Sequence, residues 1–197
     1  MWKNPKKRKQ ILLLLVAANV VVFSVFYAMR WQKWREKREY YLTQFRESNK
    51  FSGSIYTDEE LVRKYDIEDS VTAHQESISD ADLDWCFRTM DAPAKTPDDV
   101  GFRRHNMCTI LQSCAARMTE TQKDRVFTKM VSVMQKDNPN DENAFDVVSA
   151  VGVFRELKDR RALSYLKPLL KDKRGWASGT AQEAINAIEN CKEGCKG

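Results

Sequence analysis

The sequence predicts an all-α protein: one transmembrane helix followed by a small α-solenoid of about three helix pairs. Three observations predict it. Residues 11–29, ILLLLVAANVVVFSVFYAM, carry no charge, and Asn19 and Ser24 are their only strongly polar members. From Asp80 onward apolar residues recur at helical spacing, with no alternating run long enough for a strand. The later helices fall into pairs, and Lys136-Asp137 and Lys171-Asp172 mark equivalent points 35 residues apart.

The apolar run comes first. At about 1.5 Å per residue its nineteen residues reach about 28 Å, close to the ~30 Å hydrocarbon thickness of a bilayer. It shows no polar face. Residues 1–10, MWKNPKKRKQ, hold five basic residues and no acid, as before an export signal. The run ends Phe26-Tyr27-Ala28-Met29-Arg30, a poor cleavage site, so an uncleaved signal anchor is expected. Basic residues flank both sides. A short basic tail is costly to translocate, which places the N-terminus in the cytoplasm and the C-terminal domain outside it (the periplasm in a bacterium), with the reverse orientation as the alternative.

Net charge divides by region. Residues 1–50 sum to +9, residues 51–99 to −9 and residues 100–197 to +5. The basic excess flanks the apolar run and carries no reading motif, so nucleic acid is not an expected partner. Over residues 30–47, Trp31, Trp34, Tyr41 and Phe45 line one helical stripe. An interfacial aromatic belt against the lipid bilayer is expected, and a juxtamembrane helix that dimerises the chain is the alternative.

Residues 48–79 read as an acidic tether. Ser52-Gly53-Ser54 is turn material, Thr57-Asp58-Glu59-Glu60 opens a short helix to about Tyr65, and the acid-rich stretch that follows has few large apolar residues. A helical domain spans residues 80–191, with helices at 80–91, 98–117, 121–136, 141–157, 160–171 and 178–191, and a tail over 192–197. Thr96-Pro97-Asp98-Asp99 supplies an N-cap with proline at the first helical position. Thr119-Glu120-Thr121-Gln122 and Thr180-Ala181-Gln182-Glu183 read as capping boxes, and Asn138-Pro139-Asn140-Asp141 as a break.

Asp159-Arg160-Arg161-Ala162-Leu163, Leu166-Lys167-Pro168-Leu169-Leu170-Lys171-Asp172 and Ala184-Ile185-Asn186-Ala187-Ile188 resemble the HEAT-like repeat family over about residues 121–190. Trp176-Ala177-Ser178-Gly179-Thr180 replaces that family's usual Val-Arg opening of the second helix. The resemblance implies an α-solenoid and a protein-binding role, and implies no reaction.

Reactive patterns are sparse. The histidines are His74 and His105, and no HExxH, CxxC or glycine-rich phosphate loop occurs. The five cysteines are irregularly spaced, which is not a disulfide framework, although Cys191 with Cys195 or Cys108 with Cys114 could pair. No cofactor, metal site or catalytic residue is expected. A basic cluster, with Arg155, Arg160, Arg161, Lys173 and Arg174 as its partner-binding candidates, suits an acidic partner or lipid headgroups. The expected function is a membrane-anchored protein–protein interaction module, a scaffold or a non-catalytic assembly subunit of a membrane complex, and not an enzyme. A redox or metal-binding accessory using His105, Cys108 and Cys114, or Cys191 and Cys195, is the alternative.

Overall fold

The computed structural model describes residues 5–51, 55–93, 95–137 and 145–191, with side chains omitted at 5–15, 17, 18, 51 and 97. Among the described residues all regular structure is helical. The chain divides into two compact units, Met1–Gly53 and Ser54–Gly197.

The first unit is one continuous helix, α1 (Pro5–Phe51). Among the described residues no helix is long and apolar enough to cross a membrane. Ile11 to Leu15, Ala17 and Ala18 lie outside the described side chains, as do the basic residues of 1–10. The expected transmembrane signal anchor over 11–29 is thereby overturned. The cytoplasmic N-terminus and extracytoplasmic domain, which rested on it, fall with it.

The second unit begins with α2 (Asp58–Thr72). Thr57 caps it in a full capping box with Glu60, as its sequence predicts. The helix then runs a further seven residues past Tyr65, through the stretch expected to be an extended tether. Ile67 and Val71 explain the difference: four residues apart, both are buried in the core. Lys64 pairs with Glu68 on the same helix at 2.8 Å.

Next come α3 (Asp80–Asp91), α4 (Pro97–Cys114), α5 (Glu120–Gln135), α6 (Phe145–Leu157), α7 (Leu163–Leu169) and α8 (Gly175–Glu189). Ser79, Thr96 and Thr119 cap α3, α4 and α5 through side-chain oxygens. The expected 160–171 helix divides into a 3₁₀ turn over Arg160–Ala162 and α7. The helix α8 starts three residues before the expected 178, and Thr180 is no cap, since its hydroxyl donates to the Trp176 carbonyl inside the helix. The break at 138–141 lies outside the described residues.

Packing resolves into two rows. The helices α2, α4, α6 and α8 pack side by side, α2 on α4, α4 on α6 and α6 on α8. Across from them, α3 packs on α4, α5 on α6 and α7 on α8, with α3 also touching α5. This is a solenoid-like stack of three pairs with α2 added at its front. Phe154, Leu111, Met107, Met130, Leu83 and Leu166 form the fully buried centre. At Gly152 in α6 a Cβ would meet the Gln112 side-chain amide of α4 at 2.6 Å, so a larger residue there would require the Gln112 side chain to move aside.

Candidate interaction surface

Two lines of ion pairs run across the helix pairs. On one, Arg125 of α5 donates to Asp80 and Asp84 of α3. Further along, Arg161 donates to Asp124 of α5 at 2.6 Å and grips both oxygens of Asp159 at 3.0 Å. The Arg161 guanidinium lies 4.3 Å over the Phe127 ring. On the other line, Asp91 at the end of α3 accepts from Lys129 and pairs with Lys136 at 3.6 Å. Arg174 then donates twice to Asp137 (3.1 and 2.7 Å) and grips Asp172.

Asp137 and Asp172 are the two positions that mark the 35-residue offset in the sequence, and one guanidinium holds both. The hydrogen bonds that Arg161 donates to Asp159 and Asp124 raise its pKa further above its already high value, and those that Arg174 donates to Asp172 and Asp137 do the same there. Arg174 holds the Asp172 carboxyl below the usual carboxylate range, and Lys129 does so for Asp91.

The basic cluster seen in the sequence therefore separates. Arg161 and Arg174 are structural clamps. Arg155 pairs with Glu156 at 2.9 Å and with Glu183 at 3.7 Å. Arg160 and Lys173 remain exposed. In α1 the aromatic stripe is exposed at Trp31, Trp34 and Tyr41 and half-buried at Phe45, with Arg35 3.8 Å over Trp31. Its expected role at a membrane interface was argued from the neighbouring span.

Each described donor of the redox or metal alternative has a partner inside the fold. The His105 Nδ1 lies 3.1 Å from Ser149 Oγ, the Cys108 thiol 3.7 Å from Met130 Sδ, and the Cys114 thiol donates to the Ile110 carbonyl at 3.3 Å. Cys86, Cys108 and Cys114 are buried free thiols. Burial pushes Cys86 up to about 12 and Cys114 to about 11, and raises Cys108 as well. Among the described residues no group of three or more His, Cys, Asp or Glu could hold a metal ion. Cys191 is disulfide-bonded, and Cys195 lies outside the described residues.

The surface that sequence reasoning missed is a groove of about 560 Å³ at the front of the stack. Asp58, Val62, Asp66 and Ser70 form one of its walls at four-residue spacing along α2, beside Glu59, Arg63 and Ile67. Asp82, in the first turn of α3, faces them and draws Arg63 across at 3.2 Å. Ile67 is buried and Val62 half-buried, giving an apolar floor, while Asp58, Glu59 and Asp66 are exposed along the rim. Reading residues 66–79 as tether hid this wall. Once the helix runs to Thr72, the four-residue spacing exposes it.

Comparison with family models, with characterised proteins and with solved structures finds no match for this chain.

Proposed function

We propose that this chain is a non-catalytic protein–protein interaction module of HEAT-like construction, serving as a scaffold or assembly subunit of a larger complex. The observation that carries the reading is the groove between α2 and α3. It has an apolar floor and a charged rim, and it stands on helix pairs that Arg125, Arg161, Lys129 and Arg174 tie to one another. A surface for binding gains from such a frame, because little ordering entropy remains to be lost on association. The burial of the Cys108 and Cys114 thiols, and the His105 contact with Ser149, favour this reading over the redox or metal-binding accessory.

The test is chemical cross-linking of the full chain in its native setting, with the cross-linked positions read by mass spectrometry. One partner recovered in stoichiometric amount, linked through Ser54–Gly197, supports an assembly role. Recovery of the chain alone at every cross-linker concentration overturns it.

A further inference from the structure

We propose that the turn between α7 and α8 seats on an anionic lipid surface, with Trp176 and Leu170 entering the headgroup region and Lys171 and Lys173 facing the lipid phosphates. The proposal goes beyond the interaction-module reading and does not depend on it.

Exposure supplies the first argument. Among the described residues of Ser54–Gly197 three large apolar side chains are exposed, Phe102, Leu170 and Trp176. The Phe102 ring rests against Phe145 at 5.5 Å. The other two share one short turn. Trp176 is 78 % exposed, and its indole has no ring or hydrogen-bond partner among the described residues. An indole in water gains none of the burial that usually stabilises a tryptophan.

The turn itself is well held. The Asp172 N–H donates to the Leu169 carbonyl at 2.9 Å, the Arg174 N–H to Asp172 Oδ1 at 2.9 Å, and the Ser178 hydroxyl to the Leu170 carbonyl at 3.3 Å. The Arg174 guanidinium ties the same turn to Asp137. Ala177 is fully buried, and its neighbour Trp176 faces outward. A turn fixed in this way presents its apolar side chains with little ordering left to lose on docking.

Charge and shape name the occupant. Asp172 is held by Arg174, whereas Lys171 and Lys173 are exposed and make no ion pair among the described residues. Lysine beside tryptophan suits the headgroup level of a bilayer, and each lysine near an anionic leaflet adds about fivefold in affinity. A side chain begun at Gly175 or at Gly179, on either side of Trp176, would meet nothing of the fold within 4 Å. That open space offers no walls to grip an acidic peptide, and a bilayer surface needs none.

Because α1 also exposes apolar side chains, binding of the whole chain to vesicles would decide nothing about the turn. The test therefore uses the full-length protein with an environment-sensitive fluorophore on the thiol of Gly179→Cys, its position confirmed by peptide mapping. Vesicles are phosphatidylcholine alone, or phosphatidylcholine with about 30 % phosphatidylglycerol. Emission is expected to rise at least about twofold and shift to shorter wavelength on the anionic vesicles, and to stay unchanged on the neutral ones. Lys171→Glu with Lys173→Glu is expected to abolish the rise, and Trp176→Ala to at least halve it. Arg88→Glu, a charge reversal at an exposed position of α3, is expected to leave it unchanged. All four substituted positions are exposed, so circular dichroism should show unaltered folding.

An absent rise on anionic vesicles, an equal rise on neutral ones, or a rise that survives the double lysine reversal would overturn the proposal. An absent rise together with cross-links from Lys171 or Lys173 to a stoichiometric partner would assign the turn to an acidic protein instead of lipid, and the interaction-module reading would stand.

Discussion

Arg174 shows how a residue that looks like binding surface becomes part of the frame. Its guanidinium is one-tenth exposed and lies between Asp137 and Asp172, themselves largely covered. Truncating it leaves two shielded carboxylates without their cation, so Arg174→Ala should cost about 2–4 kcal/mol in chemical denaturation. Lysine, a point charge without the planar fork, should recover only part of that loss. The same contacts give an acid limit. Asp172 and Asp91 are held below the usual carboxylate range, so their contribution is fully present above the ordinary value near ~4 and lost as pH falls through the lowered one. The midpoint of thermal unfolding should therefore drop below about pH 4, and Asp172→Asn should flatten that drop. An unchanged acid slope in Asp172→Asn would count against the assignment. Among the thiols, Cys86 is pushed up to about 12, so at pH 8 its thiolate fraction falls by on the order of 10³ relative to a free cysteine. Alkylation of Cys86, Cys108 and Cys114 should appear only after unfolding, which peptide mass mapping reads directly. Modification of any of them in the native protein would reopen the redox alternative.

At the level of elements, α2 separates what the sequence shows from what only packing shows. Its start was legible, because Thr57 and Glu60 form a reciprocal cap that depends on local residue types alone. Its end was not. Residues 66–72 hold three acids, Asp66, Glu68 and Asp69, and just Ile67 and Val71 are large and apolar, too few for a local signal. Burial against neighbouring helices decides the matter, a tertiary contribution that propensity does not contain. The helix α8 repeats the point, since Thr180 carries a capping signature yet sits inside a helix whose start at Gly175 has no side-chain cap. The groove was hidden for the reason α2 was, because a helix read as a tether presents no face. The extended α2 can be checked by one substitution. Val71 is buried in the core, so Val71→Ala should lower stability by about 1–3 kcal/mol. A solvated tether would show no change, and that result would return residues 66–79 to the sequence reading.

For the stack as a whole, the question is whether the two lines of ion pairs act as one device or two. Both meet α5, Asp124 in its first two turns and Asp137 just beyond its end. Eleven residues of helix from Asp124 to Gln135 cover about 17 Å at ~1.5 Å each, and Asp137 lies two residues further on. At that separation, with no shared partner, independent contributions are expected to add within about 0.5 kcal/mol. Arg161→Ala and Arg174→Ala should therefore lower stability additively in the double variant, with one cooperative transition retained. Arg161 should itself be costly despite its exposed head, because Asp159 beneath it is only 3 % exposed and would lose its bidentate cation. The alternative outcome is as informative. A double variant less stable than the sum by more than about 1 kcal/mol would mean that α5 transmits between the two edges, each clamp supporting the other through the helix. The transition would then be expected to broaden, with the α7–α8 pair separating from the front of the stack before the remainder unfolds. Amide hydrogen exchange on the double variant distinguishes the two cases. Uniform loss of protection across α3 to α8 fits additive clamps on one cooperative core, whereas early exchange confined to α7 and α8 fits a stack that opens from its end.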